Sequence, residues 1–154
     1  MNNLLRAVIC MSLAFLAGCS SYEKKFAAAA RSDVKRTSPY EGAYSGQWTS
    51  SRNSAWGGKL RCILTPLDGN DYRADFHATW HGLSSTHSVV LHTKPAARKG
   101  FEKGTRDFEG TSALHTIIGA GTYSCMGTVT ARMMRACYDA TYDRGTFEMT
   151  RVRK

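Results

Sequence analysis

From Tyr40 to the C-terminus, apolar and polar residues alternate in short runs separated by Gly, Asp and Asn. A period of two puts successive side chains on opposite faces of an extended chain, which no helix tolerates over many segments. The pattern predicts strands near 43–51, 58–66, 71–80, 86–93, 106–114, 121–129, 133–142 and 145–153. Leu67-Asp68-Gly69-Asn70-Asp71 and Asp143-Arg144-Gly145 read as hairpin turns, and Lys94 to Gly104 as a longer polar loop. One face gathers Tyr44, Gly46 and Trp48; Leu60, Cys62 and Leu64; Tyr72, Ala74, Phe76, Ala78 and Trp80. It continues with Phe108, Gly110 and Leu114, then Tyr123, Cys125 and Val129, then Phe147 and Met149. The other face carries Gln47, Lys59, Arg61, Arg73, Asp75, His77, Asp107, Glu109 and Glu148. A dry face and a wet face on each of about eight consecutive strands describe an all-β, antiparallel, up-and-down meander. Closing it into a barrel removes both exposed edges.

The 154 residues allow one such domain and a short appendage. The appendage is N-terminal. Arg6 is followed by an apolar run from Ala7 to Ala17, too short to cross a bilayer, and then by Leu16-Ala17-Gly18-Cys19. This tetrad resembles the lipobox of bacterial lipoproteins. The resemblance implies a signal peptide over 1–18, removed on export, and a diacylglycerol on the Cys19 thiol. Each acyl chain would contribute about 0.8 kcal/mol per buried CH₂ to membrane anchoring. Ser20, where an Asp would signal inner-membrane retention, implies a cell-envelope address, at the outer membrane if the host is Gram-negative. Processing would remove one of the 21 Lys and Arg and none of the 12 acids, leaving a formal charge of +8. Residues 19–39, with Lys24, Lys25, Arg31, Lys35 and Arg36 against Glu23 and Asp33, read as a basic tether. Ala27–Ala30 offers at most a helical turn there. The domain is expected over 40–154.

Gly46-Gln47-Trp48 in the first strand resembles the G-x-W signature of lipocalins and related calycin barrels. The resemblance implies a Trp at the closed end of the barrel, crossed by a basic residue of the last strand. Trp48 and Arg151 are the pair in those roles.

An eight-stranded barrel is wide enough to be filled by side chains or to hold one small molecule. If it holds one, the candidate lining is Tyr44, Tyr72, Phe76, Trp80, Phe108 and Tyr123, which suits a small apolar ligand. His77 and His81 share a face but sit about 13 Å apart on a strand, and His87 and His92 follow on the next. No Cys or carboxylate stands at zinc spacing, so neither metal nor cofactor is expected. No nucleophile elbow, HExxH or P-loop occurs, and an enzyme is not expected. Cys62, Cys125 and Cys137 remain after processing. Cys125 and Cys137 flank a hairpin centred near Ala131 and form the candidate disulfide, although parity groups Cys137 with Arg135 and Asp139, so the bond requires a bulge. Cys62 reads as a small buried hydrophobe.

The densest basic cluster of the domain is Lys94, Arg98, Lys99, Lys103 and Arg106, joined by Arg151, Arg153 and Lys154. Anionic envelope components are its accessible partners, and nucleic acid is not expected outside the cytoplasm. The functional expectation is a lipid-anchored envelope barrel that binds a small apolar molecule or serves as an envelope accessory. The alternatives are a structural barrel without ligand and a protein–protein module such as an envelope-located inhibitor. Tyr123-Ser124-Cys125 resembles the Y-x-C of membrane-bound lysozyme inhibitors, but lysozyme is basic and a +8 chain would repel it.

Overall fold

A computed structural model describes residues 21–31, 33, 35–97, 100–116 and 119–153. The proposed signal segment, Cys19, Arg98, Lys99 and Lys154 lie outside the described residues. The strands are β1 (Gly42–Ser50), β2 (Gly57–Pro66), β3 (Asp71–Trp80), β4 (Leu83–Pro95), β5 (Arg106–Thr116), β6 (Gly119–Val129), β7 (Met133–Ala140) and β8 (Arg144–Arg151). Each pairs antiparallel with the next, and β8 returns to β1 to close the barrel. The closing register sets Tyr44 opposite Arg151 and Trp48 opposite Phe147.

β4 starts earlier than alternation alone suggests. Trp80 pairs with Leu83, and His81 (φ 44°) with Gly82 (φ 80°) makes the two-residue turn between them. Two positive φ values match the right-handed twist of the flanking strands. His-Gly is a weaker turn signal than Asn-Gly, and the three positions after Leu83, Ser84, Ser85 and Thr86, are uniformly polar.

The barrel has two unlike ends. At one, Tyr44, Leu64, Leu91, Val129, Met134 and Met149 are fully buried. This end is stoppered by the chain that enters β1. Tyr40 places its ring edge-on to Tyr72 and donates its hydroxyl to the Gly104 carbonyl at 2.5 Å. The Tyr44 hydroxyl donates to the Tyr40 carbonyl at 2.7 Å. Arg151 donates to the carbonyls of Pro39 (2.6 Å), Ala131 (3.1 Å) and Glu41. At the other end the inward-facing Trp48, Ala78, Leu114, Tyr138 and Ala140 are only partly buried.

Part of the tether expected over 19–39 is ordered against the barrel. Residues 21–30 form a helix, α1, docked on the outside of the barrel. Tyr22, Phe26 and Ala30 recur every four residues and so share one face. That face buries against Ala43 and Ile63, apolar residues on the otherwise wet sides of β1 and β2. Arg61 grips Glu23 through two bonds, 2.8 and 2.5 Å, and lies over the Phe26 ring at 5.2 Å. Tyr22 stacks on His77 at 4.9 Å, which buries that histidine on a face read as solvated. A ten-residue helix is marginal alone; tertiary burial holds this one.

Two expected pairings are corrected. Arg151 does not cross Trp48. The β1–β8 register puts it over the Tyr44 ring, 5.9 Å away at the stoppered end, while Trp48 lies at the opposite end against Tyr138. Cys125 and Cys137 form no disulfide, and both are free thiols. The β6–β7 register runs from Tyr123↔Ala140 to Val129↔Met134 without a bulge, setting Cys125 opposite Tyr138 and Cys137 opposite Met126. The two sulfurs therefore project to opposite sides of the wall.

Gly46 is one of two places where β1 and β8 approach too closely for a side chain; a Cβ there would sit 1.9 Å from the Glu148 carbonyl oxygen, as one on Gly145 would from that of Thr49. Gly46→Ala should destabilise the barrel by about 1–3 kcal/mol, read by urea unfolding; an unchanged midpoint would contradict this closure. Thiol labelling of the folded protein should modify Cys137 first. Cys62 and Cys125 are buried, and burial raises the Cys125 thiol to about 11, so both should react only on unfolding. Peptide mapping that recovers a Cys125–Cys137 crosslink would refute the register.

Candidate functional site at the half-open end

β4 and β5 share only four registered pairs, His92↔Glu109 to Pro95↔Arg106, all near the stoppered end. Toward the half-open end, β4 stays registered with β3, and β5 with β6, but not with each other. The two backbones remain adjacent beyond the ladder: a Cβ on Gly110 would sit 2.5 Å from the Val90 carbonyl oxygen. Three inward-facing polar atoms near this seam are buried without a hydrogen-bond partner: Trp80 Nε1, His87 Nε2 and Ser112 Oγ. Orphaned buried polar groups cost roughly 1–3 kcal/mol each, which makes these three candidate partners for a bound group; a fourth, Arg151 Nε, lies at the stoppered end.

The surroundings are aromatic. His87 stacks on Phe76 at 5.2 Å and meets Tyr123 edge-on at 4.5 Å. Phe76 packs against Phe147 at 5.6 Å, and Tyr123 lies parallel to Tyr138 at 6.3 Å. Ser112 pairs with Tyr123 across β5 and β6. Trp48 donates to the Thr79 carbonyl at 3.3 Å. The Asp143 carboxylate accepts from Ser50 and Tyr138, at 2.6 Å each, and fixes the far wall.

Burial pushes the His87 imidazole down to about 4, so at neutral pH the ring is uncharged, one nitrogen donating and the other accepting. Tyr123 is pushed well above its ordinary value by burial first, with Cys125 adding to it. The site thus offers neutral donors and acceptors between apolar rings. Ser112 Oγ and His87 Nε2 make no hydrogen bond to one another and so lack the contact of a nucleophile with its base.

Of the expected lining, Phe76 and Tyr123 come together here at 6.4 Å, while Trp80 lies at the tip of β3 against Trp56. Tyr44, Tyr72 and Phe108 lie toward the stoppered end of the same continuous core, with Tyr72 sharing a 2.6 Å hydrogen bond with Ser38. Sequence reasoning missed His87 and Ser112 as members of the site. Both share parity with the dry face of their strands, His87 with Val89 and Leu91, Ser112 with Phe108 and Leu114. Within the basic cluster, Arg106 is engaged, bonding Thr93 Oγ1 and Asn70 Oδ1 at 2.8 Å each.

Two grooves of about 460 and 570 Å³ lie on the outer wall around Met126 and Cys137. None of the orphaned buried side-chain atoms lines either groove. Among the described residues no three His, Cys, Asp or Glu side chains converge, and no helix is long and apolar enough to cross a membrane. Comparison of the chain with protein-family models, curated proteins and solved structures finds no match.

Because the folded-state pKa of His87 lies below the unfolded value near 6.5, the unfolded chain binds the extra proton first. Stability is therefore unaffected by this group above pH 6.5 and falls as pH drops from there toward 4, by about 3 kcal/mol in all. His77, also lowered by burial, adds to the loss in the same direction. Urea unfolding at pH 7 and 4.5 should show this loss, and His87→Gln should remove its larger part. A variant with the parental pH slope would place the titration elsewhere.

Proposed function

We propose that this protein is a lipid-anchored barrel of the cell envelope whose half-open end binds a small amphipathic molecule. The anchor in this reading is the acylated Cys19 of Leu16-Ala17-Gly18-Cys19. The ligand has an apolar or aromatic body and one neutral hydrogen-bonding group, such as a hydroxyl, amide or ester carbonyl. The observation that carries the reading is the pair of orphaned atoms, His87 Nε2 and Ser112 Oγ, held among Phe76, Tyr123 and Tyr138. A neutral imidazole and a hydroxyl recover their desolvation cost only by bonding a polar group that arrives with its own apolar body. A charged head is disfavoured, since burial keeps even the histidine of the site neutral and the Asp143 carboxylate is engaged by Ser50 and Tyr138.

The barrel purified from its host's membranes should carry a co-purifying small molecule, seen by native mass spectrometry. His87→Leu with Ser112→Ala should lose it while retaining the folded circular-dichroism spectrum. An empty wild-type protein that also gives no tryptophan shift with a panel of neutral amphiphiles would end the ligand reading. Intact mass should show acyl chains that Cys19→Ser abolishes; a wild-type mass without them would end the anchor reading.

A further inference from the structure

The three tryptophans of the chain all lie at the half-open end: Trp48 late in β1, Trp56 in the loop after it, Trp80 at the tip of β3. Trp56 packs on Trp80 at 5.8 Å, and His81 meets Trp80 edge-on at 5.5 Å. This rim is also exposed: Trp56 at 39%, Leu83 at 50% and Tyr142 at 39%. Arg52, Lys59 and Arg144 are exposed around it against one exposed carboxylate, Asp139, which sits opposite Arg144, and the nearby Asp143 carboxylate is engaged by Ser50 and Tyr138. Aromatic and aliphatic tips ringed by cations match the membrane–water interface, where Trp and Tyr rings sit at headgroup level and Lys and Arg meet anionic lipid.

Chain geometry decides which end can meet the membrane. Tyr22 of α1 sits on His77, while the helix also covers Ala43 and Ile63. His77 pairs with Arg61, and Ala43 with Ile63, one pleat nearer the stoppered end. The helix therefore enters on the half-open side and leaves toward the stopper. Cys19 precedes Tyr22 by three residues. Three residues reach at most about 10 Å. From His77 the strand end at Trp80 is three residues away, about 10 Å, whereas Asp71 at the other end is six residues away, about 20 Å. By peptide reach alone, an anchor three residues before Tyr22 is nearer the aromatic rim than the stoppered end.

We infer that the rim of Trp56, Trp80, Leu83 and Tyr142 is a membrane-docking surface, held by docked α1 against the anionic bilayer in which the protein is anchored, so that the barrel mouth faces lipid. This rests on the reading of Cys19 as the acylated residue. It makes the membrane itself the source of the amphipathic ligand, and the buried His87–Ser112 pair the group that meets a molecule arriving from the interface.

The test uses the acylated protein reconstituted in vesicles of phosphatidylcholine and phosphatidylglycerol carrying bromine on their acyl chains. Trp56 and Trp80 are expected at the interface, so bromolipid should quench most of the tryptophan emission that unbrominated vesicles leave intact. Trp56→Ser with Leu83→Ser should remain vesicle-bound through the acyl anchor yet lose most of that quenching. Equal emission in brominated and plain vesicles, with an acylated intact mass, would overturn the docking surface and leave the anchor standing. Quenching undiminished in the double variant would also overturn it. An intact mass without acyl chains would instead remove the anchor and the orientation derived from it.

Discussion

The return of β8 onto β1 is the constraint on which the rest of the molecule depends. Seven consecutive hairpin pairings can be made locally, but only the eighth pairing turns a curled sheet into a closed wall. It also brings together residues about a hundred positions apart, from Tyr44↔Arg151 to Ser50↔Gly145. Such a contact carries a large loop-closure cost before it is formed. The absent side chain at Gly46 lets the two backbones meet, and the Arg151 guanidinium then binds carbonyls of the entering chain and of the β7 approach. Closure runs the length of β1, and Arg151 couples it to the stopper at one end only.

That asymmetry is where chemistry becomes possible. In the stoppered half, the Tyr40 and Tyr44 hydroxyls and two of the three Arg151 nitrogens find carbonyls, and Arg151 Nε is left without a partner. In the other half the β4–β5 ladder stops short, aromatic rings take over the packing, and three polar atoms are left unsatisfied. Each such deficit subtracts from a small net stability unless a bonding group is supplied.

The architecture was legible because period-two patterning is nearly unbroken: Tyr72, Ala74 and Phe76 face in, and Arg73 faces out. The same pattern hid other features. It leaves Ile63 as an isolated apolar residue on a wet face, whereas Ile63 is the seat of α1. The i, i+4, i+8 spacing of Tyr22, Phe26 and Ala30 was visible but too short to promise a helix without its dock. Alternation located the strand that carries Gly46-Gln47-Trp48, but the end its Trp occupies is set by the β1–β8 register, which puts it away from Arg151. Strand parity alone would have excluded the Cys125–Cys137 bond. His87 and Ser112 share a face with apolar neighbours, but their lack of partners is a three-dimensional property that no spacing encodes.

The docking of α1 also redraws where this domain begins. A chain cut at Tyr40, the natural boundary from patterning, would strip Tyr22 and Phe26 from Ala43 and Ile63 and part Arg61 from Glu23. It would also remove Ser38 from the Tyr72 hydroxyl and Pro39 from Arg151. The trimmed product would bare a greasy strip on β1 and β2 and a loosened base, a recipe for self-association during purification. A soluble version of this barrel has to keep its N-terminal arm.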